Sequence, residues 1–282
     1  MEPLCSLNGR IAPVSATAIS PLDRGLLFGD GVYETVRVVA RRPLRLAAHL
    51  ERLGCSLAAV AIPPPAAVEG AILDLLRASA LDTGSLFIQV TRGAGPGTHL
   101  PDRALEPTLL LLPAAHAHAP AASRRLRAAT MADPRWQRCD VKSTSLMGTV
   151  LGKLLARDQQ VDEVVFVGAG GELREGGSTS LFVRRGDHLE THPLDGRVLP
   201  GITRARVLAW AAAEGLPFAE LAPRLEDRDE WIEMFLCGTL TGVQPVVELD
   251  GRAVGDGGLG DWTRALAGCA AAEESELAAD GA

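Results

Sequence analysis

Arg138-Cys139-Asp140-Val141-Lys142-Ser143-Thr144-Ser145 (RCDVKSTS) falls between a short extended segment and a helix expected over Ser143 to Gln159. Of the 28 basic residues in the chain only two are lysines, Lys142 and Lys153. A chain that uses arginine almost everywhere points to chemistry where it keeps a lysine. A guanidinium stays protonated, whereas a lysine amine can lose its proton and attack a carbonyl. Partial burial at such a junction favours the neutral amine. A cation beside a helix start opposes the helix dipole, so stability alone does not select it there.

Working outward from Lys142 toward the C-terminus, the helix carries an expected apolar stripe of Leu146, Val150 and Leu154. Strands are expected over Val164 to Val167, Ser180 to Arg184 and His188 to His192, with tight turns at Gly168 to Gly171 and Arg185 to Asp187. Glu175 lies in the turn before the second of these, followed by glycines and the hydroxyls of Ser178, Thr179 and Ser180. A carboxylate in such a polar loop can hold a protonated pyridine nitrogen. Leu199-Pro200-Gly201 then opens a helix from Thr203 to Glu214. The N–H groups of Ile202 and Thr203 would point outward at its positive end, where a phosphate can bind. Met234 to Cys237 and Val246 to Leu249 read as strands, Thr239 offers a further hydroxyl, and a last helix runs from about Gly260 to Leu277.

Toward the N-terminus, Pro113 to Ser123 (PAAHAHAPAAS) reads as a linker. Its His116 and His118 lack a nearby third ligand, and no metal is expected. Thr108 to Leu112 and Leu86 to Thr91 are expected strands, with a glycine-rich loop, Gly93 to Gly97, after the latter. Helices are expected over Ala66 to Ala80 and Leu44 to Ala61. The second has Leu46, Leu50, Leu53 and Leu57 as its stripe, with His49 and Arg52 together on another side. Arg52 offers a charged fork for a phosphate. Val32 to Ala40 alternates as a strand with Tyr33, Thr35 and Arg37 on one face, and Asn8-Gly9 marks a hairpin turn. Strands and helices mix without a regular βαβ rhythm, so the class reads as α+β. The expected organisation is a small N-terminal domain over 1–115, a linker over 116–123, and a larger C-terminal domain over 124–282 that contains Lys142.

Composition narrows the function. Apolar residues make up 47% of the 282, enough for a sizeable core, and the net charge of −7 with no basic run argues against nucleic acid. No stretch approaches the roughly 18 apolar residues of a membrane span. Five cysteines without CxxC spacing, behind an N-terminus without signal-peptide character, lead to an expected cytoplasmic location. P-loop, HExxH and GxSxG motifs are absent, and Pro96 argues against a dinucleotide loop at Gly93 to Gly97.

Taken in order, seven stretches resemble the fold type IV pyridoxal-phosphate enzymes. They are DRGLLFGDGVYETVRV (Asp23 to Val38), HLERL (His49 to Leu53), VTRG (Val90 to Gly93), DVKS (Asp140 to Ser143), LREGGSTSLF (Leu173 to Phe182), LPGITR (Leu199 to Arg204) and CGTLTGVQPV (Cys237 to Val246). The resemblance implies a small α+β sandwich domain and a larger pseudo-barrel domain, pyridoxal 5′-phosphate as cofactor, amino acid and 2-oxo acid substrates, and a homodimer. It matches Lys142 to the Schiff-base lysine and Glu175 to the partner of the pyridine nitrogen. Arg52, Ile202, Thr203 and Thr239 match the phosphate cup, and Tyr33 an aromatic beside the substrate. Details around Trp136 to Ser143 look most like the D-amino acid aminotransferases. Met147 stands where branched-chain enzymes carry tyrosine. The alternatives are a 4-amino-4-deoxychorismate lyase and a branched-chain L-amino acid aminotransferase.

Two departures stand out. Relatives acting on D-amino acids carry an arginine and a histidine, two apart, to trap the substrate carboxylate; here His99 fits but Gly97 takes the arginine place. Arg24, Arg37 or Arg92 is expected to substitute. Gly242 stands where relatives often have glutamate.

Overall fold

The computed structural model describes residues 2–102, 105–118 and 120–279. Its contacts divide the chain into two compact units. The first takes in the described residues of 1–118, 141–145 and 276–282, and the second those of 119–140 and 146–275. The chain order had suggested that Lys142 would belong with the C-terminal half. Its own segment, 141–145, packs with the first unit instead.

In the first unit β1 (Leu4–Leu7), β2 (Arg10–Pro13), α1 (Arg24–Phe28), β3 (Gly31–Val39), β4 (Arg42–Pro43), α2 (Leu46–Ala59), α3 (Val68–Ser79), β5 (Gly84–Thr91) and β6 (Thr108–Ala115) follow in order. The strands form one antiparallel sheet, β2-β1-β6-β5-β3-β4. Its first hairpin turns at Asn8 (φ 51°) and Gly9 (φ 82°), the paired left-handed conformations that a two-residue hairpin requires. Period-two alternation puts Val32, Val36 and Val38 of β3 beside Ile88, Leu86 and Leu111 in a core closed by Leu53, Leu57, Ile72 and Leu75 of α2 and α3. Tyr33, Thr35 and Arg37 point to the other face. The expected linker begins later than read, because Pro113 to Ala115 pair with Leu86 to Gly84. His116 bonds the Ser85 hydroxyl and His118 the Gly84 carbonyl.

The second unit contains β7 (Leu126–Ala132), α4 (Met147–Asp158), β8 (Glu163–Val167), β9 (Leu173–Gly176), β10 (Ser180–Arg185), β11 (His188–Glu190), α5 (Ile202–Ala213), β12 (Phe218–Ala219), β13 (Trp231–Gly238), β14 (Gly242–Leu249), β15 (Arg252–Ala253) and most of α6 (Asp261–Ala279). The sheet runs β12-β11-β10-β13-β14-β7-β8-β9, and β9 returns to pair with β10. Six strands therefore close into a barrel, sealed where Ser180 faces Glu175. Leu181, Val183, Met234 and Leu236 fill one side of the wall, while Phe182 and Phe235 stack at 5.0 Å on the other with Val207, Trp210 and Leu266.

One expectation about α4 is overturned. The stripe of Leu146, Val150 and Leu154 is exposed rather than buried. The helix packs through its small residues, Gly152 and Ala156. A Cβ at Gly152 would sit 2.7 Å from Val164 and 3.0 Å from Phe166, so the absence of a side chain is what lets α4 approach β8.

Candidate active site

In the first unit Lys142 is held by its backbone. Its carbonyl accepts from Tyr33 N–H at 2.9 Å, its N–H donates to the Ser56 hydroxyl at 3.2 Å, and Thr144 N–H donates to the Gly31 carbonyl. The segment thus runs beside the start of β3, bridging at Val32 and Ser143. The half-buried lysine lies with Nζ 4.2 Å from the centre of the Tyr33 ring. The ring face attracts the amine when charged and gives it a fixed address. Tyr33 itself packs against Phe87.

Behind this strand lies a buried charge cluster that sequence reading missed. Glu34 is on the apolar face of β3 and fully enclosed. Arg52 donates Nε to Glu34 Oε1 and Nη2 to Oε2, at 2.7 and 2.8 Å, and His49 Nδ1 meets Oε2 at 2.7 Å. Burial alone would raise the carboxyl's proton affinity, but the hydrogen bonds from Arg52 and His49 prevail and hold its pKa at about 2. Burial pushes the His49 imidazole below its ordinary value. Arg52, expected as a fork for phosphate, thus spends two of a guanidinium's five N–H groups on Glu34. The signal was present in the sequence, since Glu34 shares period-two register with Val32, Val36 and Val38.

The arginines expected to replace the one missing at Gly97 separate. Arg24 is buried, with Nε on Asp30 and its two Nη atoms on the carbonyls of Thr98 (2.6 Å) and His99 (2.9 Å). Arg92 forks onto both Asp30 oxygens and onto the carbonyls of Val60 and Ala61. Both are clamps for their loops, which corrects the expectation that either supplies the substituting fork. The two guanidiniums hold Asp30 below the usual carboxylate range despite its partial burial. His99 is exposed, its ring edge-on to Phe28 at 5.4 Å. Arg37 is buried on the sheet face that carries Tyr33.

In the second unit three turns meet around the barrel's closure. Glu175 Oε1 accepts from Arg135 Nη1 at 2.5 Å and Oε2 from Leu199 N–H at 3.1 Å. After it, Gly176 N–H donates to the Thr179 carbonyl, folding Ser178 to the surface and Thr179 inward. A Cβ on Gly201 would lie 2.4 Å from Ser180 Oγ, and one on Gly238 would touch Ser178 and Thr179. The turns carrying Thr179, Thr203 and Thr239 are therefore neighbours. Gly201 leaves the start of α5 without a side-chain cap. The hydroxyls of Thr179 and Thr203 are buried without a hydrogen-bond partner. Unmet hydroxyls beside an uncapped helix N-terminus suit an anion with several oxygens. Gly242 also finds its reason here, for it turns back from β13 with φ +66°, a conformation that a glutamate adopts only under strain.

A family model for amino-transferase class IV matches residues 31–249. The D-alanine aminotransferase of Staphylococcus haemolyticus is 32% identical over 266 residues, covering 92% of this chain and 94% of that one. That of Listeria innocua serovar 6a is 34% identical over 269 residues, with 92% of each covered. Among solved structures, a branched-chain aminotransferase from Thermoproteus uzoniensis superposes with a TM-score of 0.87 at 24% identity over 99% of this chain and 98% of that one. A 4-amino-4-deoxychorismate lyase from Pseudomonas aeruginosa gives 0.82 at 27% over 93% and 96%. The chain belongs to the class IV aminotransferases. It is a transaminase that depends on pyridoxal phosphate, on an α+β fold of type IV.

Proposed function

We propose that the substrate is a small D-amino acid, D-alanine first, whose amino group passes to 2-oxoglutarate or pyruvate. The observation that carries this reading is the identity of 31–34% to D-alanine aminotransferases over nearly the whole length of the chain. Pyridoxal phosphate supplies the electron-accepting ring that lets an amino acid lose its α-proton. Lys142 is proposed as the amine that binds the cofactor's aldehyde and then carries the α-proton on Nζ. Its fixed backbone and the Tyr33 ring keep that atom in one place. Glu175 is proposed to hold the ring nitrogen.

Thr179, Ile202, Thr203 and Thr239, with Ser178 and Ser180 shaping the turn, are proposed to bind the phosphate. The partnerless hydroxyls of Thr179 and Thr203 support that assignment. Arg52, oriented by Glu34, is proposed as the phosphate's cationic ligand. For the substrate carboxylate Arg37, which lies on the sheet face that carries Tyr33, and the exposed His99 are proposed. Five free cysteines and no membrane-crossing helix among the described residues fit a cytoplasmic enzyme, and the exposed apolar side of α4 fits a homodimer.

The test is a half-reaction. Protein loaded with pyridoxal phosphate is mixed separately with D-alanine and L-leucine while its visible spectrum is followed. Conversion to the pyridoxamine spectrum by D-alanine alone is expected. Conversion by L-leucine alone would replace this reading with a branched-chain one, and conversion by neither would point to the lyase.

A further inference from the structure

The carboxylate of Glu175 belongs to a chain of alternating charges that the proposed chemistry has not used. Asp133 follows β7 and is almost fully enclosed. Its Oδ1 accepts from Arg135 N and Nε, and its Oδ2 from Arg135 Nη2, all at 2.9 Å. Arg174 Nη1 reaches the same Oδ2 at 2.9 Å and leans toward Glu172 at 3.5 Å. The remaining edge of Arg135 points Nη1 at Glu175 Oε1, and its guanidinium lies 4.4 Å from the centre of the Phe166 ring. A Cβ at Gly148 would strike Arg135 Cγ at 2.7 Å, so α4 leaves room for this pose. The alignment Asp133, Arg135, Glu175 is thus fixed at three points, and a strong fork holds the middle member.

Resting on the reading that Glu175 faces the cofactor's ring nitrogen, we propose that Arg135 is a positioning residue that sets the charge Glu175 presents to that nitrogen. With donors on both oxygens, Arg135 Nη1 on one and Leu199 N–H on the other, Glu175 is held as an acceptor-only anion. Arg135 also offsets part of that negative charge. Asp133 in turn offsets part of the charge on Arg135. The charged and titratable groups around Glu175 include Arg135, Asp133, Arg174 and the Cys139 thiol, which burial pushes up to about 11 and so keeps neutral. Two substitutions in one network should therefore act in opposite directions, which general loosening cannot do.

The experiment titrates the visible band of the bound cofactor in wild type, Arg135→Gln, Asp133→Asn and Glu175→Gln, with the cofactor's dissociation constant measured by equilibrium dialysis. Arg135→Gln removes a positive charge, so the midpoint is expected to rise by about one pH unit, the usual effect of a charge within ~4–6 Å. Asp133→Asn removes a negative one, so the midpoint is expected to fall. Either variant alone decides if the other does not fold. Unchanged midpoints in both, or shifts of the same sign, would overturn the proposal and leave Arg135 as scaffold. Glu175→Gln separates the two layers. If it alone moves the band, the role of Glu175 stands and only Arg135 is wrongly placed. If even Glu175→Gln leaves band and affinity unchanged, the assignment of Glu175 falls, and this inference with it.

Discussion

At the scale of single residues, the arginines divide by what their guanidiniums touch. Arg24 and Arg92 share Asp30 and between them hold the carbonyls of residues 60, 61, 98 and 99. Arg37 sits instead on the sheet face of Tyr33. Arg37→Met is therefore expected to raise KM for amino-acid donors about 10- to 100-fold, the worth of one charge-assisted pair at ~1.5–3 kcal/mol. Arg92→Met is expected to leave KM nearly unchanged and to destabilise by about 1–3 kcal/mol, because it leaves Asp30 to Arg24 and takes a charged donor from the Val60 and Ala61 carbonyls. Steady-state kinetics beside thermal melts separate the two. The opposite pattern would make Arg92 the substrate's ligand. None of this division was legible in the sequence. Arg24 and Arg37 each lie beside motif residues, and only the fold brings the carbonyls of Thr98 and His99, more than seventy positions on, to Arg24.

At the scale of elements, what the sequence conveyed was periodicity, and what it hid was the cover. The leucine stripe of α2 is packed against the first core because β3 and β5 supply an apolar face for it. The stripe of α4 obeys the same spacing but stays exposed among the described residues. Its inner side is instead Gly152 and Ala156, too small to register as a hydrophobic pattern. The barrel was expected from resemblance alone, since no local pattern announces that β9 returns to β10. The cap of α6 is equally non-local. Glu233, on β13, accepts from Trp262 N–H, Thr263 N–H and the Thr263 hydroxyl, and receives Arg184 Nη1. These bonds outweigh its burial and depress its pKa. A Cβ on Gly260 would overlap that carboxylate at 1.9 Å. Gly260→Ala is thus expected to cost about 1–2 kcal/mol, the loss of a good N-cap, and to lower the melting temperature by roughly 2–8 °C. A melt that is unchanged or higher would mean that α6 does not need this cap.

At the scale of the molecule, two consequences follow, one for pH and one for assembly. Glu34 is buried with a pKa of about 2 against an ordinary 4.5, a depressed carboxylate. Its contribution is complete above pH 4.5 and is lost as pH falls toward 2. A gap of that size corresponds to about 3 kcal/mol. His49, whose folded value is also depressed, adds a loss that begins as pH falls below 6.5, where the unfolded imidazole takes up protons first. Thermal stability is therefore expected to decline from about pH 6.5 downward. Glu34→Gln should be less stable at pH 7 and show a shallower acid limb; an equally steep limb would place the acid-sensitive groups elsewhere.

Assembly turns on α4. Met147 is 70% exposed, and Val150, Leu151 and Leu154 on the same helix and Leu146 at its N-cap are each 36–46% exposed. An exposed apolar side of this kind suits association, and we propose it as the homodimer contact. Val150 and Leu154, four apart, share one ridge of it. Placing Lys at both would bury two unpaired charges in any interface there, at several kcal/mol. The wild type is expected to run as a dimer in size-exclusion chromatography with light scattering, and Val150→Lys/Leu154→Lys as a folded monomer. A dimer that survives the double change would place the contact on another face and leave the α4 stripe without a partner.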